Sequence, residues 1–302
     1  MKQVPPIVWT VLAVMGGPCL SWGVATVAGQ SQCPDFGPNV FIFDANMPME
    51  TIQRHINQIF SRQERSQFGS GRYAFLFQPG EYQLDVNVGF YTEVLGLGLA
   101  PDNVSILGQV HSEADWMGGN ATCTFWRSVA GMAVTPTRGT DRWATSQATP
   151  FRRMHIKGNL VLDDGGWSSG GFIADSKIDG TIRSGSQQQY FVRNTEMGQW
   201  QGGNWNMVFV GDVNPPGGQW PKRPYTVVSA TPIVREKPFL LVDQNGRYAV
   251  RIPDLKRTPC VGTTWQVRII HLILFACGIF SAGPEGLLTA GRTVLSPSIA
   301  VT

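Results

Sequence analysis

Two stretches decide the fold: MHIKGNLVL at 154–162 and SKIDGTI at 176–182. Ile156-Lys157-Gly158-Asn159-Leu160 lines up with Ile178-Asp179-Gly180-Thr181-Ile182, 22 positions later. In both, an apolar residue, a charged residue, Gly, a polar residue and an apolar residue follow in the same order. Met197-Gly198 comes 19 positions after Ile178, and Met132 lies 24 before Ile156. The result is a loose period near 22 over four turns. One unit of that length cannot bury its apolar face alone. Stacked units share a continuous core and pair their backbones, so the repeat predicts a solenoid. The surrounding text agrees: YTEVLGLG, NVSILGQV, QYFVRN and NMVFVG are short β-type runs broken by Gly or Asn.

The open first edge of such a stack would template pairing with other chains and must be covered. Met49, Ile52, Ile56, Ile59 and Phe60 recur at steps of three and four. They predict one amphipathic helix over about 48–64, with Pro48 in its first turn. The loop SQFGSG follows, then RYAFLFQPGEYQL, read as a strand, a Pro-Gly turn and a second short strand. The expected fold is therefore all-β, a right-handed parallel β-helix with an N-terminal capping helix. A β-sandwich also uses short strands and turns, but needs neither the helix nor the period.

Of 302 residues, 42% are hydrophobic and only 15% charged, which excludes a disordered chain. A net charge of +3 with no long basic run argues against nucleic acid. GLGLAPD lacks the Lys-Ser/Thr of a phosphate loop, so no nucleotide is expected, and there is no G-x-S-x-G. At the N-terminus, Lys2 precedes an uncharged apolar run from Ile7 to about Val27 that ends in small residues. This is the layout of a signal peptide over 1–29. It places the mature chain outside the cytoplasm: secreted, extracellular or periplasmic, with no stable membrane insertion. Beyond Cys19, the cysteines Cys33, Cys123, Cys260 and Cys277 could form two disulfides there. Their wide spacing and the scattered His55, His111, His155 and His271 predict no metal site and no cofactor.

METIQRHINQIF followed by YAFLFQPGEY resembles the entry to pectate-lyase-like β-helices. More narrowly, GPNVFIFD, QFGSGRYAFLFQPGEY, GFYTEVLGLG, SSGGFIADSKIDG, GSQQQYFVRN and REKPFLLVD resemble a group of secreted bacterial and fungal proteins. That group is often labelled coagulation factor 5/8 type domain protein or, misleadingly, adenylyl cyclase. It is similar to glycoside hydrolase family 55, the β-1,3-glucanases. The resemblance spans about 37–265, the expected β-helix domain. It implies an exported glycoside hydrolase acting on a β-glucan. Proteins of the group continue into a second β-helix. Here 266–302 instead contains an apolar run of about a dozen residues from Ile269 to Phe280, without rung spacing. That tail reads as a truncated or frame-shifted end, or as a native terminal cap. A non-catalytic polysaccharide-binding β-helix and a polysaccharide lyase are the competing functions.

Glycoside hydrolysis needs two carboxyl groups. Acidity near aromatic residues ranks Glu113, Asp163 and Asp175 as catalytic candidates. Asp175-Ser176 also matches Asn194-Thr195, 19 positions on, which looks like a structural ladder at a rung corner. For sugar binding, flat C–H faces of a pyranose suit aromatic rings, and hydroxyls suit amides. The candidates are Trp116, Trp167, Trp205, Gln187 and Gln189; the structural alternative is that alternate glutamines stack in a ladder and the tryptophan rings pack loops. The catalytic residues of the glucanases cannot be carried over, because no matched motif contains them.

Overall fold

The computed structural model describes residues 35–265 and the strand Leu272–Leu274. The expected leader at 1–29 and most of the tail after 265 lie outside the described residues. The chain winds as a parallel β-helix, in the right-handed sense that parallel crossover connections take. One long wall is a nine-stranded parallel sheet. It runs from Val40–Phe43 through Tyr73–Phe77, Thr92–Gly96, Ser128–Ala130, Pro150–Arg152, Phe172–Ala174, Gln189–Arg193 and Asn206–Val210 to Tyr225–Val228. A second parallel sheet faces it, built from Gly80–Asn87, Val104–His111, Ala133–Pro136, His155–Ile156 and Lys177–Arg183 with their neighbours.

The decisive alignment holds in register: Ile156 pairs with Ile178, Leu160 with Ile182, and Ile178 with Met197. One step differs. Val134, not Met132, lies under Ile156, so the rung spacing there is 22, not 24. Met132 belongs to the corner before the strand. The first wall repeats Val94, Val129, Phe151, Ile173, Val192 and Phe209 in one paired column, all fully buried. Each inward side chain of one rung thus rests on that of the next, and the column is the core.

The helix occupies Met49–Gln63, with Pro48 at its N-cap rather than inside its first turn. Ile52, Ile56 and Ile59 are buried against Phe43, Phe75 and neighbouring core residues. Gln53 closes the open strand edge directly. Its Nε2 donates to the Asp85 carbonyl at 2.7 Å, and its Oε1 accepts from the Asp85 N–H at 2.9 Å. Strand Val40–Phe43, unassigned in the sequence reading, pairs with Tyr73–Phe77 and adds a rung ahead of the helix.

After the last rung, residues 231–265 form a strap that runs back down the outside. Lys237 reaches Glu93, the Val242 N–H donates to the Leu97 carbonyl, and Gln78 donates to the Tyr248 hydroxyl. The strap contains the antiparallel pair Phe239–Val242 and Tyr248–Arg251 and returns by bridges Val234–Lys256 and Thr231–Cys260. Cys123 and Cys260 are free thiols, so the expected disulfides do not include them; Cys33 and Cys277 lie outside the described residues.

Candidate functional site

Every rung turns two corners around the first wall, and the paired column locates both. Two residues beyond it come Gly131, Arg153, Asp175, Asn194 and Gly211, all with φ between 49° and 79°. Three residues before it come Tyr91, Trp126, Ala148, Gly170, Gln189 and Asn206. The first three of these also have φ between 53° and 58°, and Gly170 has φ 136°.

The first corner is closed by the strap. Asp175 is fully buried, where it accepts from the Thr264 N–H and lies 3.6 Å from Arg153. The Trp265 indole donates to its carbonyl at 2.8 Å. Glu236 of the strap sits between Arg193 at 2.8 Å and Arg152 at 3.3 Å. Burial, reinforced by Glu236, pushes the Asp175 carboxyl up to about 6. Asp175 is thus a corner-ladder residue under a lid and does not reach a substrate. Its neighbour Asn194 holds the strap through the Gly262 carbonyl.

The second corner is open. Between its later rungs lies a groove of about 380 Å³. Ala148, Gly170 and Gly171 form its floor. A Cβ at Gly171 would stand 2.7 Å from the Tyr190 ring, so the floor is flat because only glycine fits there. Phe172 and Phe191 stack along one side at 5.3 Å and 19°. Trp205, 56% exposed, stands at the far end. Gln147, Gln189 and Asn206 bring amides to the rim. Flat apolar rings beside amides and a smooth floor are what a pyranose requires. Of the five predicted binding residues, Gln189 and Trp205 meet here.

Gln187 does not. It is buried beneath the floor, donating to the Thr145 and Leu162 carbonyls at 2.8 and 2.7 Å and accepting from the Gly170 N–H at 2.7 Å. It clamps the floor through these main-chain bonds rather than by stacking in a glutamine ladder. Trp167 is 70% exposed on the neighbouring turn but does not line the groove. Trp116 is half-buried, edge-on to Phe90 at 6.2 Å. Trp143 and Trp200 are core.

The three predicted carboxylates do not converge. Glu113 lies 3.9 Å from His111, which Asp85 holds at 2.8 Å. Asp163 accepts from the Ser186 N–H at 3.3 Å. The register through Ser112, Trp143 and Leu162 sets Glu113 and Asp163 two rungs apart, about 10 Å. Asp175 occupies the opposite corner. A close carboxyl pair does exist nearby. Asp164 is fixed by Arg142 and by the Ala114 N–H, and Asp115 sits against it. Partial burial and Asp164 together push the Asp115 carboxyl upward. Glycoside cleavage uses two carboxyls about 5–9.5 Å apart on either side of the bond, whereas Asp115 and Asp164 are in direct contact. Only the fold, by bringing residues 49 positions apart together, marks this pair. Beside the capping helix lies another hollow, between Met49 and Gln83, which has no aromatic wall.

No family model matches the sequence. The chain is similar to an exo-beta-1,3-glucanase of Streptomyces sp. (strain SirexAA-E / ActE), 49% identical over 234 residues, covering 76% of this chain and 38% of that protein. The solved structure of sacteLam55A from Streptomyces sp. SirexAA-E superposes with a TM-score of 0.76 at 46% identity, over 80% of this chain and 44% of that one. A Glu-to-Ala variant of sacteLam55A in complex with glucose gives 0.77 and 45% over the same shares. The chain therefore spans less than half the length of these relatives, and over that span the resemblance to β-1,3-glucanases read from its motifs holds in both sequence and fold.

Proposed function

We propose that this chain is a glucan-binding β-helix of a secreted glycoside hydrolase of the exo-β-1,3-glucanase type. The observation that carries this reading is the 49% identity to such an enzyme. The open groove gives the identity a physical meaning. Phe191 and Trp205 offer ring faces to pyranose C–H surfaces, and Gln147, Gln189 and Asn206 offer donors and acceptors to hydroxyls. The glycine floor lets a chain lie close to the backbone. Asp115, whose carboxyl burial and Asp164 push upward, is a candidate proton donor in this chain. The scattering of Glu113, Asp163 and Asp175 favours, as a second reading, binding by this chain without turnover. Export follows from the leader-like sequence at 1–29.

The test is co-sedimentation of the purified chain with insoluble β-1,3-glucan, followed by chromatography of the soluble products. Retention on β-1,3-glucan but not on a polyuronate is expected. Release of glucose assigns turnover to this chain; retention without glucose assigns it the binding role. Equal retention on the polyuronate, or none on the glucan, contradicts the proposal.

A further inference from the structure

One side chain interrupts the inward face of the second sheet. The register carries Val86 onto Val110, and Leu160 onto Ile182 and then Trp200. Between Val110 and Leu160 stands Asp141, on the strand Thr140–Arg142. It pairs with Leu160. The Ser112–Trp143 bridge, with the Ser112 N–H donating to the Arg142 carbonyl, sets it against Val110. Val86, Val110, Leu160 and Ile182 are fully buried, and so is Asp141.

Neither Asp141 oxygen has a hydrogen-bond partner or any appreciable accessible surface, so no water-sized space reaches them. The Val110 and Arg142 amides approach the carboxyl without attaining hydrogen-bonding geometry. An ionised carboxylate held there is a bare charge in an apolar column, which costs far more than a neutral acid. Burial accordingly pushes the Asp141 carboxyl up to about 7, against the pull of His111. His111 follows Val110 in its strand. Asp85 holds it at 2.8 Å, and Glu113 lies 3.9 Å away. The strands Ala133–Pro136 and Asn159–Val161, also packed on Thr140–Arg142, contain no titratable residue. Arg142 is turned to Asp164, and the buried Arg127 to the Val88 carbonyl and the Ser112 hydroxyl.

The strand that carries Asp141 leads straight into the open corner. Arg142 fixes Asp164 at 2.5 Å. The Trp143 indole donates to the Thr149 carbonyl at 3.3 Å. The Thr145 carbonyl accepts from Gln187, the clamp beneath the groove, and Ala148 is part of the groove floor. We propose that Asp141 is a proton-operated latch: as a neutral acid it keeps this rung packed, and on losing its proton it loosens the rung and the root of the open corner. The latch goes beyond the glucan-binding reading and does not rest on it. The folded state holds the proton more tightly than the unfolded chain, whose carboxyl has its ordinary 3.8. The latch is therefore strongest below about pH 4, weakens as the pH rises to about 7, and is level above that.

The experiment is native-state hydrogen exchange of the Trp143 and Ala144 amides, which donate to the Val161 and Ser112 carbonyls. Protection factors are compared at about pH 5.5 and about pH 8, and the wild type is expected to lose about tenfold or more over that interval. Asp141→Asn keeps the size of the side chain without its titration and is expected to lose most of that fall. Asp141→Leu continues the apolar column; it is expected to lose the fall as well and to protect these amides better than the wild type at the higher pH. It carries the test alone if the asparagine variant does not fold. A wild type whose protection is the same at both pH values, or a fall of equal size in the variants, overturns the latch.

Discussion

The two corners of the first wall demand the same backbone conformation and do opposite things with it. At Arg153, Asp175 and Asn194 the left-handed residues are charged or amide-bearing, and each finds a partner in the strap or in the Arg–carboxylate cluster beneath it. At Tyr91, Trp126, Ala148 and Gly170 the residues are aromatic or small, and among the described residues no strap crosses them. A strap that covers polar side chains at a bend must supply them with partners, because a buried unpaired group is costly, and here it does so. Rings and glycines bring no polar side-chain group that would hold a strap. The chemistry of one column thus determines which side of the solenoid is sealed and which is left for a ligand.

The largest effect is expected at the sealed corner. Glu236 is 5% exposed and bridges Arg152 and Arg193. Glu236→Ala leaves two arginines without their shared carboxylate and should cost about 3–5 kcal/mol in denaturant unfolding. A loss under about 1 kcal/mol would mean that the strap does not seal the corner. Next comes pH. Asp175 titrates near 6 in the fold and at its ordinary 3.8 when unfolded. The folded state therefore binds the proton more tightly. Stability contributed by this group is highest below about pH 4, falls as the pH rises to about 6, and is level above that. Asp175→Asn should flatten that slope, by about 3 kcal/mol across the window, in melts taken at intervals of pH.

At the open corner the effects on stability should be smaller. Gly171→Ala pushes a Cβ against the buried Tyr190 ring and should cost about 1–2 kcal/mol while deforming the groove floor. Trp205→Ala, at the rim, should change stability by less than about 0.5 kcal/mol yet weaken glucan binding severalfold. A Trp205→Ala variant that unfolds more easily but binds glucan normally would reverse the contrast between the corners.

The fold was legible because a solenoid writes its period into the chain. Ile156, Ile178 and Met197 carry the register, and the helix at 49–63 declares itself by spacing. Met132 misled because Val134, two residues on, is equally apolar, and only the corner turn between the two tells which one enters the strand. The site was less legible. Gln189 and Trp205 share a groove, while Gln187, two positions from Gln189, points inward; on one strand both would share a face, but Gln187 lies in the corner before the strand Gln189–Arg193, and that boundary is invisible in the sequence. Asp175 carried acidity near aromatics, yet the strap that buries it comes from Thr264, 89 positions later. The Asp115–Asp164 pair depends on rung-to-rung contact, so no local pattern announces it.

The most direct test follows backbone amide resonances while a six-unit β-1,3-gluco-oligosaccharide is added to the chain. The account predicts saturable shifts at Ala148, Gly170, Gly171, Gln189 and the Trp205 side chain, with Arg153, Asp175 and Glu236 unmoved. Shifts centred on the strap, with the glycine floor silent, would contradict it.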